Sequence, residues 1–180
     1  METHRIELPV MTIRETLEPA GLDDVRNAAV AEVGRLLAEL DRPDGDMTPF
    51  LLLGDREGVH ALTPSLRDPS FFDEQLKFFV EEVGPLALAQ RHAISAALVL
   101  TVWTLAGPAA ARGLRAGEHP DRQEAVTIML ADARGAEETM LANVSRHRFS
   151  PPAVDQFKTV SHGVQPHVAE ALRRGFAGLG

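Results

Sequence analysis

The sequence predicts an α+β fold: an antiparallel sheet of about five strands with two main helices, in the order α-β-β-α-β-β-β with a short closing helix. Three observations carry that expectation. Residues 22–41 repeat apolar positions at three- and four-residue steps. Residues 48–64 and 123–145 each read as strand, polar turn, strand. Residues 95–106, SAALVLTVWTLA, make an apolar run of strand-like composition. Helices on one side of an open sheet are the packing such an order favours.

Taken in order, residues 1–15 read as an N-terminal arm. IELPVMTI (6–13) has no cap and no clear period; it is expected to be a short strand or an ordered arm, and a loose terminus is the simpler expectation. In LDDVRNAAVAEVGRLLAELD, Leu22, Val25, Ala29, Val33, Leu36 and Leu40 form one helical stripe. Asp23 and Asp24 sit in the first turn, where negative charge suits the helix dipole. Pro43 and Gly45 stop the helix. TPFLLLGDREGVHALTP (48–64) is a hairpin whose first strand is apolar on both faces and whose GDREG reversal carries solvated charges.

A second helix is expected over 67–92. Asp68 ahead of Pro69, or Ser70 three residues ahead of Asp73, supplies its start. Phe72, Leu76, Phe79, Val83 and Leu86 are its apolar stripe, and Gly84-Pro85 should bend or break it. The central strand 95–106 and a loop over 107–121 follow. QEAVTIMLAD (123–132) and EETMLANVS (137–145) then flank the turn DARGA. Pro151-Pro152 reads as a linker, and PHVAEALRRGF (166–176) as a short terminal helix. The organisation is therefore an arm (1–15), a single α+β domain (16–146) and a C-terminal tail (147–180).

Composition narrows the functional classes. With 180 residues, 44% of them hydrophobic and 24% charged, the chain suits one ordinary domain with its own core. A formal charge of -8 argues against a nucleic-acid partner and against anionic membrane surfaces. There are no cysteines, so disulfides, thiol catalysis and Cys-zinc sites are excluded. The first twenty residues lack an apolar signal core, and the longest apolar stretch (96–111) is interrupted by Thr, Gly and Pro. A cytoplasmic protein with no membrane partner and no cofactor is expected.

The chemistry-bearing stretch is GEHPDRQEAVTIML, residues 117–130. Glu118, His119, Asp121 and Glu124 are ligand types for a divalent cation, or an acid/base set; a metal-dependent hydrolase or phosphoesterase would use them. The simpler expectation is a solvated loop leading into a strand that begins near Gln123. Pro120 holds His119 extended. Arg122 and Glu124, two apart, share a strand face, and an ion pair between them would anchor the loop. No HExxH, HxH, GxSxG, Walker or GxGxxG pattern occurs. Trp103, the single tryptophan, sits in the apolar strand. Core packing is the simpler expectation there; on an open sheet face it would be a binding anchor.

The segments PFLLL…HALTP, AALVLTVWTL and EHPDRQEAV, in that order over 48–145, resemble a group of uncharacterised α+β proteins from GC-rich actinobacteria and their phages. That resemblance implies no assigned activity, and it adds weight to Trp103, Arg122 and Glu124 as binding residues. The element order also resembles roadblock and profilin-like folds. The expected function is a small soluble binding or interaction module, dimeric through an uncovered strand edge. The alternatives are the metal-dependent hydrolase and a phage- or host-defence-related factor.

Overall fold

The computed structural model describes residues 7–42, 44–66, 68–104, 120–161 and 163–178. It is a mixed α+β structure built on an antiparallel sheet of eight strands: β1 (Met11–Glu15), β2 (Phe50–Gly54), β3 (Gly58–Leu62), β4 (Ser95–Thr104), β5 (Gln123–Asp132), β6 (Glu137–His147), β7 (Ser150–Val154) and β8 (Lys158–Thr159). The hydrogen-bonded order is β1-β3-β2-β4-β5-β6-β7. β8 also pairs with β6, at Met140 and Leu141, so β7 and β8 share the outer edge of β6.

The sheet is larger than the five strands expected. The additions come from the regions read as arm and tail. β1 is an edge strand on β3, with Thr12 opposite His60. β7 contains Pro151-Pro152, which the sequence alone marks as a linker; an edge strand tolerates prolines because one row of its amides needs no ladder partner. Residues after 147 pair with and pack on the same sheet. Val164, Val168 and Leu172 belong to the same buried cluster as Leu51, Leu53 and Leu98.

The helices lie on both faces of the sheet, not on one. The helix α1 (Leu22–Ala38) buries Val25, Ala29 and Val33 against Leu52, Ala97, Val99, Val126, Ile128 and Leu130. The opposite face carries α2 (Phe72–Phe78), α3 (Gly84–Arg91) and α4 (Pro166–Phe176) over Leu51, Leu53, Leu98 and Met129. The continuous apolar runs FLLLG and SAALV are the sequence mark of that arrangement, since a strand covered on both faces does not alternate.

Between α2 and α3 the chain forms a π turn (Phe79–Val83), and the amide of Gly84 reaches back to the carbonyl of Phe79. Pro85 explains it. Proline has no amide hydrogen for the Glu81 carbonyl four residues earlier, and its ring crowds that carbonyl. The guanidinium of Arg174, from α4, donates to the Glu81 carbonyl instead. The extra residue shifts the helical phase. Phe79, Val80, Ala87 and Leu88 are buried, whereas Phe72, expected in the apolar stripe, is 40% exposed.

Candidate functional site

β4 pairs with β5 along its whole length, and a different polar cluster sits at each end of it. Ser95 and Trp103 are eight residues apart, about 26 Å at the usual rise of an extended strand.

The sequence-predicted residues gather at the Trp103 end. Burial along β4 is complete from Ser95 to Val99 and then falls away, and Trp103 is 48% exposed rather than packed in the core. The guanidinium of Arg122 lies 4.5 Å from the centroid of its ring. Glu124, opposite Trp103 in the ladder, is ion-paired, but the bidentate partner is Arg146 of β6 where Arg122 was expected. Arg146 Nε and Nη2 donate to the two carboxylate oxygens at 2.6 and 2.7 Å. Register is the reason. Ala125 faces Asn143, so Glu124 falls opposite Val144 and Arg146 is its diagonal neighbour on the same face. Arg146 also donates to the Gly45 carbonyl at 2.8 Å and to Asp46 at 3.3 Å, which ties the loop after α1 to the sheet. The neighbouring turn between β6 and β7 repeats the stacked arrangement: Arg148 lies 5.4 Å from the centroid of Phe149, itself 93% exposed. Asp121 is exposed beside Arg122. Glu118 and His119 lie outside the described residues. Of the four candidate metal ligands, then, Glu124 has both oxygens on an arginine.

The Ser95 end holds a second cluster around the GDREG turn, whose charges are expected to be solvated; Arg56 and Glu57 are exposed, but Asp55 is not. Asp55 leads the β2–β3 reversal and His60 lies within β3; they are 4% and 1% exposed. Asp55 Oδ1 accepts the amides of Glu57 (2.8 Å) and Gly58 (3.2 Å), which closes the turn from inside. Gly58 is required there. Its φ is 147°, and a Cβ would meet the Arg14 carbonyl oxygen of β1 at 2.0 Å. The same Oδ1 lies 2.9 Å from His60 Nε2. Arg91, the last residue of α3, donates to Asp55 Oδ2 through Nε (2.9 Å) and lies 2.8 Å from Glu57 Oε2 through Nη2. His60 Nδ1 faces the hydroxyl of Thr12, on β1, at 2.9 Å.

Burial alone would push the Asp55 carboxyl up. The hydrogen bonds from His60 and the Glu57 amide, with the charges of His60 and Arg91, outweigh it and hold the group below the ordinary carboxylate range. An ionised Asp55 only accepts, so the His60 hydrogen in that contact sits on Nε2. With the ring uncharged, Nδ1 is an acceptor and the Thr12 hydroxyl donates to it. Carboxylate, imidazole and hydroxyl line up as a proton path. Asp55, Glu57 and His60 also bring one ligand atom each within 4.8 Å of one another, a spacing that suits a cation. Arg91 Nη2 lies within 3.0 Å of all three groups, so the guanidinium supplies the positive charge at that point.

One local signal for this cluster exists in the sequence. In GVHAL a histidine interrupts a strand that is otherwise apolar, and a buried imidazole needs a partner. Asp55 and Glu57, five and three residues before it, are the near candidates. The contributions of Thr12 and Arg91, 48 and 31 residues from His60, depend on tertiary pairing and leave no local trace.

Among the described residues, no helix is long and apolar enough to cross a membrane. Comparison with protein-family models, with curated proteins and with solved structures gives no match to this chain.

Proposed function

We propose that this protein is a binding module that recognises a protein surface through the Trp103 end of its sheet. One observation carries the reading: Trp103 and Phe149 both stand in solvent at that end, each with an arginine over its ring. Large rings and arginines concentrate at the energetic centres of protein interfaces, because both desolvate well and offer wide contact area. The Arg146–Glu124 pair holds the surrounding backbone, so binding there costs little ordering entropy. Arg146 is neutralised by Glu124 and Asp46, and Asp121 lies beside Arg122, so the rings rather than net charge define the contact. A second copy of this chain is the first partner to test.

The single tryptophan makes the test direct. Emission from Trp103 should move to shorter wavelength as the protein is concentrated, in step with dimer formation seen by sedimentation velocity. The double variant Trp103→Ala/Phe149→Ala should remain monomeric at concentrations where the parent associates. A parent chain that stays strictly monomeric, with an unmoving Trp103 spectrum, sinks self-association through this corner.

A further inference from the structure

We infer that Thr12, His60 and Asp55 form a nucleophilic relay, with Thr12 attacking small uncharged or cationic acyl esters. It lies at the opposite end of the sheet from the proposed binding corner and does not depend on that reading. The geometry is that of a hydroxyl, a base and an orienting carboxylate in one line: Thr12 Oγ1 to His60 Nδ1 at 2.9 Å, His60 Nε2 to Asp55 Oδ1 at 2.9 Å. Such constellations are defined by geometry and role, whatever the fold or the order in the chain. Here the carboxylate holds Nε2 and the hydroxyl meets Nδ1. Either imidazole nitrogen can take the proton once the other is fixed as the donor.

Accessibility favours the relay as well. Asp55 and His60 are buried, whereas Thr12 is on an edge strand and exposed. Thr12 borders an open surface cleft of about 550 Å³ with Glu15, Thr16, Leu17 and Glu57. The register of β1 on β3 pairs Thr12 directly with His60, so two strands of the sheet hold the nucleophile on its base. Glu15, Glu57 and Asp55 face one paired cation, Arg91, so these groups sum to a negative charge that disfavours anionic acyl groups and sets the substrate class.

The reaction balances without any other reagent. Thr12 Oγ1 attacks the ester carbonyl carbon while its proton passes to His60 Nδ1. The tetrahedral adduct collapses, the C–O bond to the alcohol breaks, and the departing alkoxide takes the proton from Nδ1. Water then attacks the acyl-threonine and gives a proton to Nδ1, which returns it to Thr12 Oγ1. The sum is ester plus water to acid plus alcohol, with Asp55 ionised throughout.

The test uses the full chain with p-nitrophenyl acetate and its anionic counterpart p-nitrophenyl hemisuccinate. Nitrophenol release from the acetate should exceed the buffer rate, and the hemisuccinate should react more slowly. Acid quenching and peptide mass analysis should find the acetyl group on Thr12. Thr12→Val keeps the shape and the strand preference but lacks the hydroxyl, and should lower the rate by about 100-fold or more. Thr12→Ser should retain it. His60→Gln should match Thr12→Val; if it fails to fold, the two Thr12 variants still decide the matter. Equal rates for Thr12→Val and the parent, or acetyl groups confined to Lys77, Lys158 or the terminal amine, overturn the inference.

Discussion

The two ends of β4 handle charge in opposite ways. At the Ser95 end, Asp55 is buried and both of its oxygens are engaged, by His60, by two backbone amides and by Arg91. Ser95 itself donates to the Ala20 carbonyl at 2.7 Å, and Gly54 has no room for a side chain, because a Cβ would come within 2.2 Å of Ser95 Oγ. At the Trp103 end, the rings face water and the arginines lie on top of them. Coverage makes the difference. The C-terminus of α3 delivers Arg91 onto the β2–β3 turn, while burial along β4 declines toward Thr104. The lesson is that charge alone does not mark a site in this chain. Within the charged turn GDREG, Asp55 is internal and structurally committed while Arg56 and Glu57 stay exposed as expected, and the apolar strand ends in an exposed aromatic surface.

The contrast would break most visibly at Asp55. Asp55→Ala leaves His60, two amides and Arg91 without their common acceptor, and should lower stability by about 3–5 kcal/mol, measured as a fall in urea midpoint. A loss below about 1 kcal/mol would mean that the cluster is solvated after all. The pH dependence has a definite sign. The folded-state carboxyl of Asp55 is held below its unfolded value, near 3.9 for a free aspartate. Its contribution is therefore fully present above the unfolded value and lost as pH falls through the folded one, because the unfolded chain binds the proton first. Asp55→Asn should flatten the acid limb of the stability curve, and an acid limb identical to the parent's would remove Asp55 as its cause.

Much of this frame was legible in the sequence, and the failures have physical causes. The amphipathic period places α1 correctly from Leu22, and the hairpin pattern locates β2 and β3. Alternation sets β5 at Gln123–Asp132, and the stretch 166–176 forms the terminal helix. Those signals are local. Periodicity reports which face is apolar and is silent on what covers it, so helices on both faces were not anticipated. The stripe through Phe72 assumes an unbroken α-helical phase, and the π turn enforced by Pro85 breaks it. β1, β7 and β8 are short edge strands whose residues pair only because the sheet already exists. The candidate site divides in the same way. Trp103, Arg122 and Glu124 do assemble at one corner, but the pairing of Glu124 with Arg146 needed the register of β5 on β6.

A middle-sized effect sharpens the comparison. Arg146→Met removes a bidentate, partly buried pair together with the bond to the Gly45 carbonyl, and should lower stability by about 1–2 kcal/mol. That is less than the Asp55 change because Arg146 and Glu124 keep some access to water that can replace the lost bonds. A loss equal to that of Asp55→Ala would place both ends of the sheet in one class.

The smallest expected effect belongs to Arg122, and it isolates what the Trp103 end is for. Its guanidinium rests on the Trp103 ring, and an exposed stack of this kind contributes about 0.5–1 kcal/mol. Arg122→Ala should therefore leave the urea midpoint nearly unmoved. It should change the emission of Trp103, because a cation on the ring face is replaced by water, and Trp103 in dilute solution should already emit close to free tryptophan. If the corner is a binding surface, the same substitution should weaken association far more than folding: the arginine is lost from the centre of the contact, where water is excluded on binding. A structural anchor would behave in the reverse way, with stability falling and association unchanged. Measuring both quantities on the one variant separates the two roles of Arg122.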